Sequence, residues 1–348
     1  MDISLFDFSL PDKLIAQTPT RNRDESKLLV LNRHNNSTTS KSFKDITDYF
    51  NSGDCLVVNN TKVFKARLLG KRQSGGEVEV FLVRRLSEPL HWTALVKPSR
   101  RLHEGEEIIF QNENLTYSLR LLKNHSEGRW EICFQTADSE QQIIEQFGHV
   151  PLPLYIKRDE TTTDVSRYQT IFANAEQTGA VAAPTAGFHF TEEIIAKLKS
   201  KGVVIAELTL HVGPGTFKPV SVDNIKDHTV DPEYAILSSD TAEKINQARQ
   251  NGKKIFAVGT TTTRTLESSE FDRDGNLIPF EKFVDLYIQP GYKFKVVDHL
   301  ITNFHLPKSS LLILVSTFAG RERILEAYKK AIQEKYRFYS YGDAMLIL

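Results

Sequence analysis

KARLLGKR (65–72), GEVEVFLVRRL (76–86), HWTALVKP (91–98), EEIIF (106–110), LTYSLRLL (115–122) and RWEICF (129–134) follow one another between Thr61 and Gln135. Each segment is short and partly alternating, and Gly, Pro, Asn or Glu-Gly turns separate them. No helical period is sustained across this stretch, which predicts an all-β barrel or sandwich. The pattern on either side is different. LLVLNR (28–33) and DCLVVNN (54–60) before it, and VVIAELTL (203–210), KIFAVG (254–259), FVDLYI (283–288) and LLILVS (311–316) after it, read as buried strands. Helices are predicted between them. One starts at Thr191 as N-cap, carries Glu192 and Glu193 in its first turn and stops at Gly202. A second runs from about Asp240 to Asn251 and ends at Gly252, and a third from about Arg321 to Glu334. DETTTD (159–164) reads as an exposed loop. Continuous apolar strands alternating with helices predict a mainly parallel, three-layer α/β domain. The expected organisation is thus an α/β domain of residues 1–61 together with 150–348, interrupted by an inserted β-barrel domain of residues 62–149.

The 348 residues exceed one ordinary core, and the 40% hydrophobic and 25% charged fractions are those of a globular protein. Lys plus Arg equal Asp plus Glu at 44 each, so no global field attracts nucleic acid and any RNA site must be a local patch. Residues 61–135 hold thirteen Lys or Arg against nine Glu, a modest excess suited to phosphate contact. The candidates there are Lys62, Lys65, Arg67, Arg100 and Arg101, with Lys71, Arg72, Arg84, Arg85 and Lys97 around them. Cys55 and Cys133 lie in apolar runs and are expected to be buried structural thiols. MDISLFDFSL at the N-terminus has no basic region, and the apolar run around Leu311 to Val315 is too short for a membrane span. A cytoplasmic location without membrane attachment is expected.

Four segments put polar, small and His residues beside strand ends. AAPTAGFHFT (182–191) leads into a helix start, where free N–H groups and small residues admit a ligand to the backbone. TLHVGPGTF (209–217) follows a predicted strand, where open α/β sheets gather ligands. VGTTTTRTLE (258–267) runs from strand into helix and adds Arg264 as a fixed positive fork. ITNFHLPKS (301–309) brings Asn303, His305 and Lys308 together. Polar groups placed at such junctions are costly unless something binds them, and four such segments predict one shared cleft. There is no HExxH, no paired CxxC and no GxSxG, so neither a bound metal nor a serine nucleophile is expected.

Longer words carry a family resemblance. AAPTAGFHFT, LTLHVGPGTFKPV, VGTTTTRTLES, YIQPGYKFKVVDHLITNFHLPKSSLLILV and YRFYSYGDAMLI resemble the S-adenosylmethionine:tRNA ribosyltransferase-isomerase family of queuosine biosynthesis, and DFSLPDKLIAQTP, RDESKLLVLNR and GDCLVVNNTKVFKARLLG extend the likeness over essentially the whole chain. The resemblance implies an α/β domain with an inserted β-barrel. It also implies transfer and isomerisation of the ribosyl part of S-adenosylmethionine onto 7-aminomethyl-7-deazaguanine (preQ1) at the tRNA wobble position, yielding epoxyqueuosine, adenine and methionine. The partners it implies are preQ1-containing tRNA and S-adenosylmethionine, the latter a consumed substrate, so no cofactor is expected; the protein is expected to be a monomer. Two polar segments depart from the family pattern, beside the packing swaps PLPLYI for PLPPYI and AGFHFT for AGLHFT. Its usual Asn-Asp-Thr-Arg reads Asn59-Asn60-Thr61-Lys62, and its His-x-Met-His-Ser-Glu reads His228-Thr229-Val230-Asp231-Pro232-Glu233, without the second histidine.

The implied reaction needs a base for the C5′ proton beside the sulfonium, an acid for departing adenine, and donors for the ribose oxygens. His189, His211 and His305 are the expected proton-transfer or ligand-contacting groups, in roles the sequence leaves open, with Asp343 as a further catalytic candidate. The expected S-adenosylmethionine contacts are Pro184, Thr185, Ala186, Gly187, Gly213, Gly215, Thr216, Thr260, Thr261, Arg264 and Asn303, with Arg264 suited to hold the methionine carboxylate bidentately. The alternative activity is that of an S-adenosylmethionine-dependent RNA methyltransferase. A barrel that binds RNA without catalysis and a nucleotide enzyme with no RNA partner are further rivals.

Overall fold

The computed structural model describes residues 1–136, 139–217 and 219–348, with the side chains of Thr216 and Phe217 outside the description. Nine strands form the large sheet. Their spatial order is Phe280–Val284, Glu233–Leu237, Val204–Leu210, Cys55–Asn59, Ile255–Val258, His299–Asn303, Ala344–Ile347, Lys27–Asn32 and Ser37–Ser42. The four strands from Val204–Leu210 to His299–Asn303 run parallel; both flanks bring in antiparallel neighbours, so the sheet is mixed. The parallel centre is buried on both faces, which is why Cys55–Asn59 and Ile255–Val258 show no alternation. Two apolar clusters cover its faces. One contains Leu29, Val57, Leu208 and Leu300, the other Leu28, Val58, Phe256 and Ile301.

The stretch 65–135 is a closed antiparallel barrel. Arg67–Arg72, Glu77–Arg85, His91–Lys97, Arg129–Gln135, Thr116–Asn124 and Glu107–Gln111 pair in that order, and Lys71 opposite Ile109 closes the ring. Inward positions alternate with outward ones, as in Val78, Val80 and Leu82, and meet Trp130, Leu119 and Ile108 inside. Gly70 sits at the closure, where a Cβ would lie 2.7 Å from the Ile108 side chain. The helix Glu140–Phe147 adds Ile143 and Ile144 to the same core, and its Glu140 accepts from Trp92 Nε1 at 3.0 Å.

Several local expectations hold. Thr191 caps the helix Glu192–Ser200 by accepting from Ile194 N, and Gly202 follows at φ +84°. The helices Ser239–Gln250 and Arg321–Gln333 fall where predicted. LLILVS does not form a strand: it lies inside the helix Ser310–Ala319, capped by Ser309 and stopped at Gly320 with φ +94°. Leu312 to Ser316, Phe318 and Ala319 are all buried, with only Ser310, Leu311 and Thr317 partly exposed, so the apolar run imitates a buried strand. DETTTD is not simply an exposed loop either. Thr161 and Asp164 form a capping box for the helix Thr162–Arg167, and buried Asp164 takes both guanidinium nitrogens of Arg158 at 2.7 and 2.8 Å. FVDLYI contributes only Phe283 and Val284 to a strand. Cys55 is buried, and burial pushes its thiol up to about 12; Cys133 is only partly buried.

Candidate active site

The carboxyl ends of the parallel strands open into two clefts that meet at Leu311. The first lies where Val204–Leu210, Ile255–Val258 and His299–Asn303 end, and is lined by Pro184, Thr185, Ala186, Thr260, Thr261, Asn303 and His305, with Tyr155 and Ser340 opposite. Thr260 and Thr261 begin the helix Gly259–Glu267, so its unsatisfied N–H groups face this space. Gly259 has φ +92°, a conformation few other residues adopt, and this turns the strand into the helix. The second cleft is lined by Gly215, His228, Asp231, Glu233, Arg264 and Tyr287, and Glu127 from a barrel hairpin reaches it.

The three expected histidines do not converge. His189 is buried, with both ring nitrogens occupied: Nδ1 lies 2.7 Å from Ser26 Oγ, and Asn303 Nδ2 donates to Nε2 across 3.2 Å. With Asn303 donating, Nδ1 carries the proton, and Ser26 passes its own to the Arg23 carbonyl at 3.4 Å. The result fixes Asn303, whose Oδ1 accepts from Thr185 in the cleft at 3.1 Å. His189 thus positions Asn303 from behind the wall. His305 lines the first cleft, its Nε2 2.8 Å from Thr302 Oγ1, and Nδ1 has no partner among the described residues. His211 faces elsewhere. It pairs with Thr61 Oγ1 at 2.8 Å, stacks on Tyr234 with 6.0 Å between centroids, and lines neither cleft.

Asp343 is buried and spends both oxygens on backbone: Oδ1 accepts from Lys27 N at 2.8 Å and Oδ2 from Arg337 N at 2.7 Å. It lines neither cleft, and its two bonds tie the C-terminal strand to its neighbours. Gly187 packs under Thr170, where a Cβ would come within 2.7 Å, and Gly213 gives its N–H to Glu233 at 2.8 Å; neither lines a cleft. Gly215 lies against Asp231, leaving no room for a Cβ. The side chain of Thr216 is outside the described residues. Arg264 is buried, paired through Nη1 with Glu233 and bonded through Nε to the Leu286 carbonyl at 3.1 Å.

Sequence reasoning passed over His228 and Tyr287. The His228 ring stands edge-on to Tyr287, 5.2 Å between centroids, and burial lowers its pKa while Asp231 opposes that shift. The signal was present in the His228–Glu233 segment, whose residues all line this cleft except Pro232. The other departing segment has a local explanation: Asn60 donates to Glu207 at 3.3 Å while accepting from Thr209 at 2.7 Å, a task that needs an amide beside a carboxylate.

Burial pushes His189 and His305 down to about 3, and His299, outside the clefts, to about 4. All three stay neutral in the fold, whereas the unfolded chain protonates them below about 6.5. Their contribution is therefore complete above that value and drains as pH falls toward the folded values, at about 1.4 kcal/mol per pH unit for each ring. The urea midpoint is expected to fall steadily from pH 6.5 to 4.5; a flat profile over that window would contradict this neutral burial.

The basic patch is smaller than the sequence suggested. Lys65 pairs with Glu145 at 3.1 Å and Arg67 with Glu79 at 2.7 Å, and Arg72, Arg85 and Arg120 also meet barrel carboxylates. Arg100 and Arg101 are exposed without an ion pair among the described residues, and Lys62 is half-buried. Among the described residues no three His, Cys, Asp or Glu gather as a metal site, and no helix is long and apolar enough to cross a membrane.

A mixed α/β sheet with a polar cleft at its strand ends, joined to a closed barrel, defines a ligand-processing protein of two-part design. The chain belongs to the queuosine biosynthesis protein family, whose model matches residues 3–347. It is similar to the crystal structure of S-adenosylmethionine tRNA ribosyltransferase from Thermotoga maritima, at 36% identity and a TM-score of 0.56, over 99% of this chain and 100% of that one.

Proposed function

We propose that the protein transfers and isomerises the ribosyl moiety of S-adenosylmethionine onto preQ1 at the tRNA wobble position, releasing adenine and methionine. The observation that carries this reading is the end-to-end likeness to a protein named for that transfer, barrel included. No feature of either comparison favours the methyltransferase alternative. In this reading the α/β part, residues 1–61 and 150–348, holds S-adenosylmethionine as a consumed substrate, and the barrel, residues 62–149, meets tRNA. Thr260 and Thr261 offer hydroxyl and helix N-terminal donors to the nucleoside in the first cleft, and the Thr185 hydroxyl, which donates to Asn303, can accept there. With the Thr302 hydroxyl turned to the Asn303 carbonyl at 3.4 Å, His305 donates from Nε2 and keeps Nδ1 as an acceptor for a ribose hydroxyl. His228 is the better proton carrier: it is half-buried and Asp231 opposes the burial that lowers its pKa, whereas unopposed burial pushes His305 down to about 3.

Incubation with S-adenosylmethionine and preQ1-containing tRNA tests the function directly. Adenine release with a mass shift in the wobble nucleoside is expected; S-adenosylhomocysteine in place of adenine would mean a methyltransferase. Arg100 and Arg101, exposed on the barrel, are expected to contact phosphate. Charge reversal of both (R100E/R101E) should weaken tRNA binding roughly tenfold or more and lower the salt slope by about two, while S-adenosylmethionine binding stays unchanged. An unaltered salt slope would remove these two residues from the interface.

A further inference from the structure

Two buried donors in the second cleft have no acceptor. Arg264 Nη2 and Tyr287 Oη are both shielded from solvent, both unpaired, and both belong to side chains lining this one cleft, whereas the first cleft has no orphaned donor among the described residues. Such orphans are costly, about 1–3 kcal/mol each, and two in one cleft mark a place for an acceptor that arrives with a ligand. Arg264 is only 7% exposed, and Glu233 and the Leu286 carbonyl hold its guanidinium in place at the cleft wall.

We infer that the second cleft is the amino-acid subsite of S-adenosylmethionine, with Arg264 Nη2 and Tyr287 Oη taking its α-carboxylate. This rests on the proposed function and adds a location to it. Three observations favour a carboxylate on a zwitterion over a phosphate of the tRNA backbone. The cleft also carries Glu127, Asp227, Asp231 and Glu233, with Arg264 the one Lys or Arg among its described lining residues. Carboxylates on this wall disfavour a polyanion and suit the ammonium and sulfonium of S-adenosylmethionine. Leu286 and Leu314 add an apolar wall for the methylene chain. The clefts are also spaced for one molecule: Thr260, in the first, and Arg264, in the second, are one helical turn apart, about 6 Å along the axis. A single ligand can therefore lie along this helix, with its nucleoside at the N-terminus and its carboxylate one turn on.

The test compares binding of S-adenosylmethionine, decarboxylated S-adenosylmethionine and 5′-methylthioadenosine to wild type, Tyr287→Phe and Arg264→Lys. Wild type is expected to prefer the carboxylated ligand at least about tenfold, and Tyr287→Phe to shrink that preference roughly three- to tenfold, with methylthioadenosine binding unchanged. Arg264→Lys should shrink it further; since that change also disturbs the Glu233 pair, Tyr287→Phe, which removes one oxygen, is the decisive variant. An unchanged preference in Tyr287→Phe, with methylthioadenosine still bound, overturns the subsite and leaves the two donors to water. Weakened tRNA binding with an unchanged preference would assign them to phosphate instead. Failure of wild type to bind either nucleoside would remove the proposed function, and this subsite with it.

Discussion

His228→Ala is expected to lower the rate of adenine release by about two to four orders of magnitude, the usual range for loss of a positioned acid or base. The reason is placement. Of the four histidines considered, His189 has both nitrogens committed to Ser26 and Asn303, and His211 lines neither cleft. His305 lines the first cleft, but burial holds it at about 3, too weak a base to accept a carbon-bound proton efficiently. His228 lies in the cleft assigned to the amino-acid end of the substrate, where the sulfonium and its neighbouring C5′ would sit. A base acts in its neutral form, so activity should fall on the acid side as His228 protonates. Burial lowers its pKa, which places that limb below the ordinary histidine range. The alanine variant should lose both the rate and the limb. His211→Ala should leave the rate within a few-fold, and His305→Ala should raise KM more than it lowers kcat. A His228→Ala enzyme that turns over like wild type, with the same pH profile, would end this assignment.

Glu267→Ala is expected to destabilise the fold by about 3–5 kcal/mol, since it strands several buried neutral donors at about 1–3 kcal/mol each, part of which relaxation recovers. Glu267 is 1% exposed at the end of the helix Gly259–Glu267. Its oxygens accept from Lys295 N at 2.8 Å, Val296 N at 3.0 Å, Val297 N at 3.0 Å and the Tyr292 hydroxyl at 3.1 Å. Removal leaves these donors without an acceptor and cuts the loop 289–297 from the helix that carries Thr260, Thr261 and Arg264. Urea unfolding followed by circular dichroism measures the loss. Glu267→Gln should recover part of it, since one oxygen still accepts while the new amide meets donors instead of acceptors. A loss under 1 kcal/mol in the alanine variant would show that water replaces the carboxylate.

Glu267 also shows what local reading misses. A carboxylate in the last turn of a helix opposes the helix dipole, and nothing in VGTTTTRTLE explains it. The explanation is the loop thirty residues later, which folds back to use it as an anion. Asp343 is the converse case: an Asp in a polar tail suggested chemistry, and the fold gave both its oxygens to backbone amides of Lys27 and Arg337.

The barrel was legible because its signal is local. Alternation in GEVEVFLVRRL and turns every few residues state strand, face and reversal within ten residues. The α/β frame, its cap at Thr191, and the polar segments at strand ends were legible for the same reason. LLILVS was not, because a run of buried residues inside a helix has no periodicity to display, and only its length and the Ser309 cap separate it from a strand. The division of labour among histidines was equally out of reach. Sequence places a histidine at a strand end, but burial, tautomer and pKa come from neighbours far along the chain: Ser26 for His189, Thr61 for His211, and Asp231 with Tyr287 for His228. The sequence by itself therefore determined most of the elements, the inserted barrel and the segments that line the first cleft, since hydrophobic periodicity and capping act over a few residues. Tertiary structure alone decided which polar groups are left unpaired, because an orphaned donor such as Arg264 Nη2 or Tyr287 Oη exists only once every other acceptor has been placed.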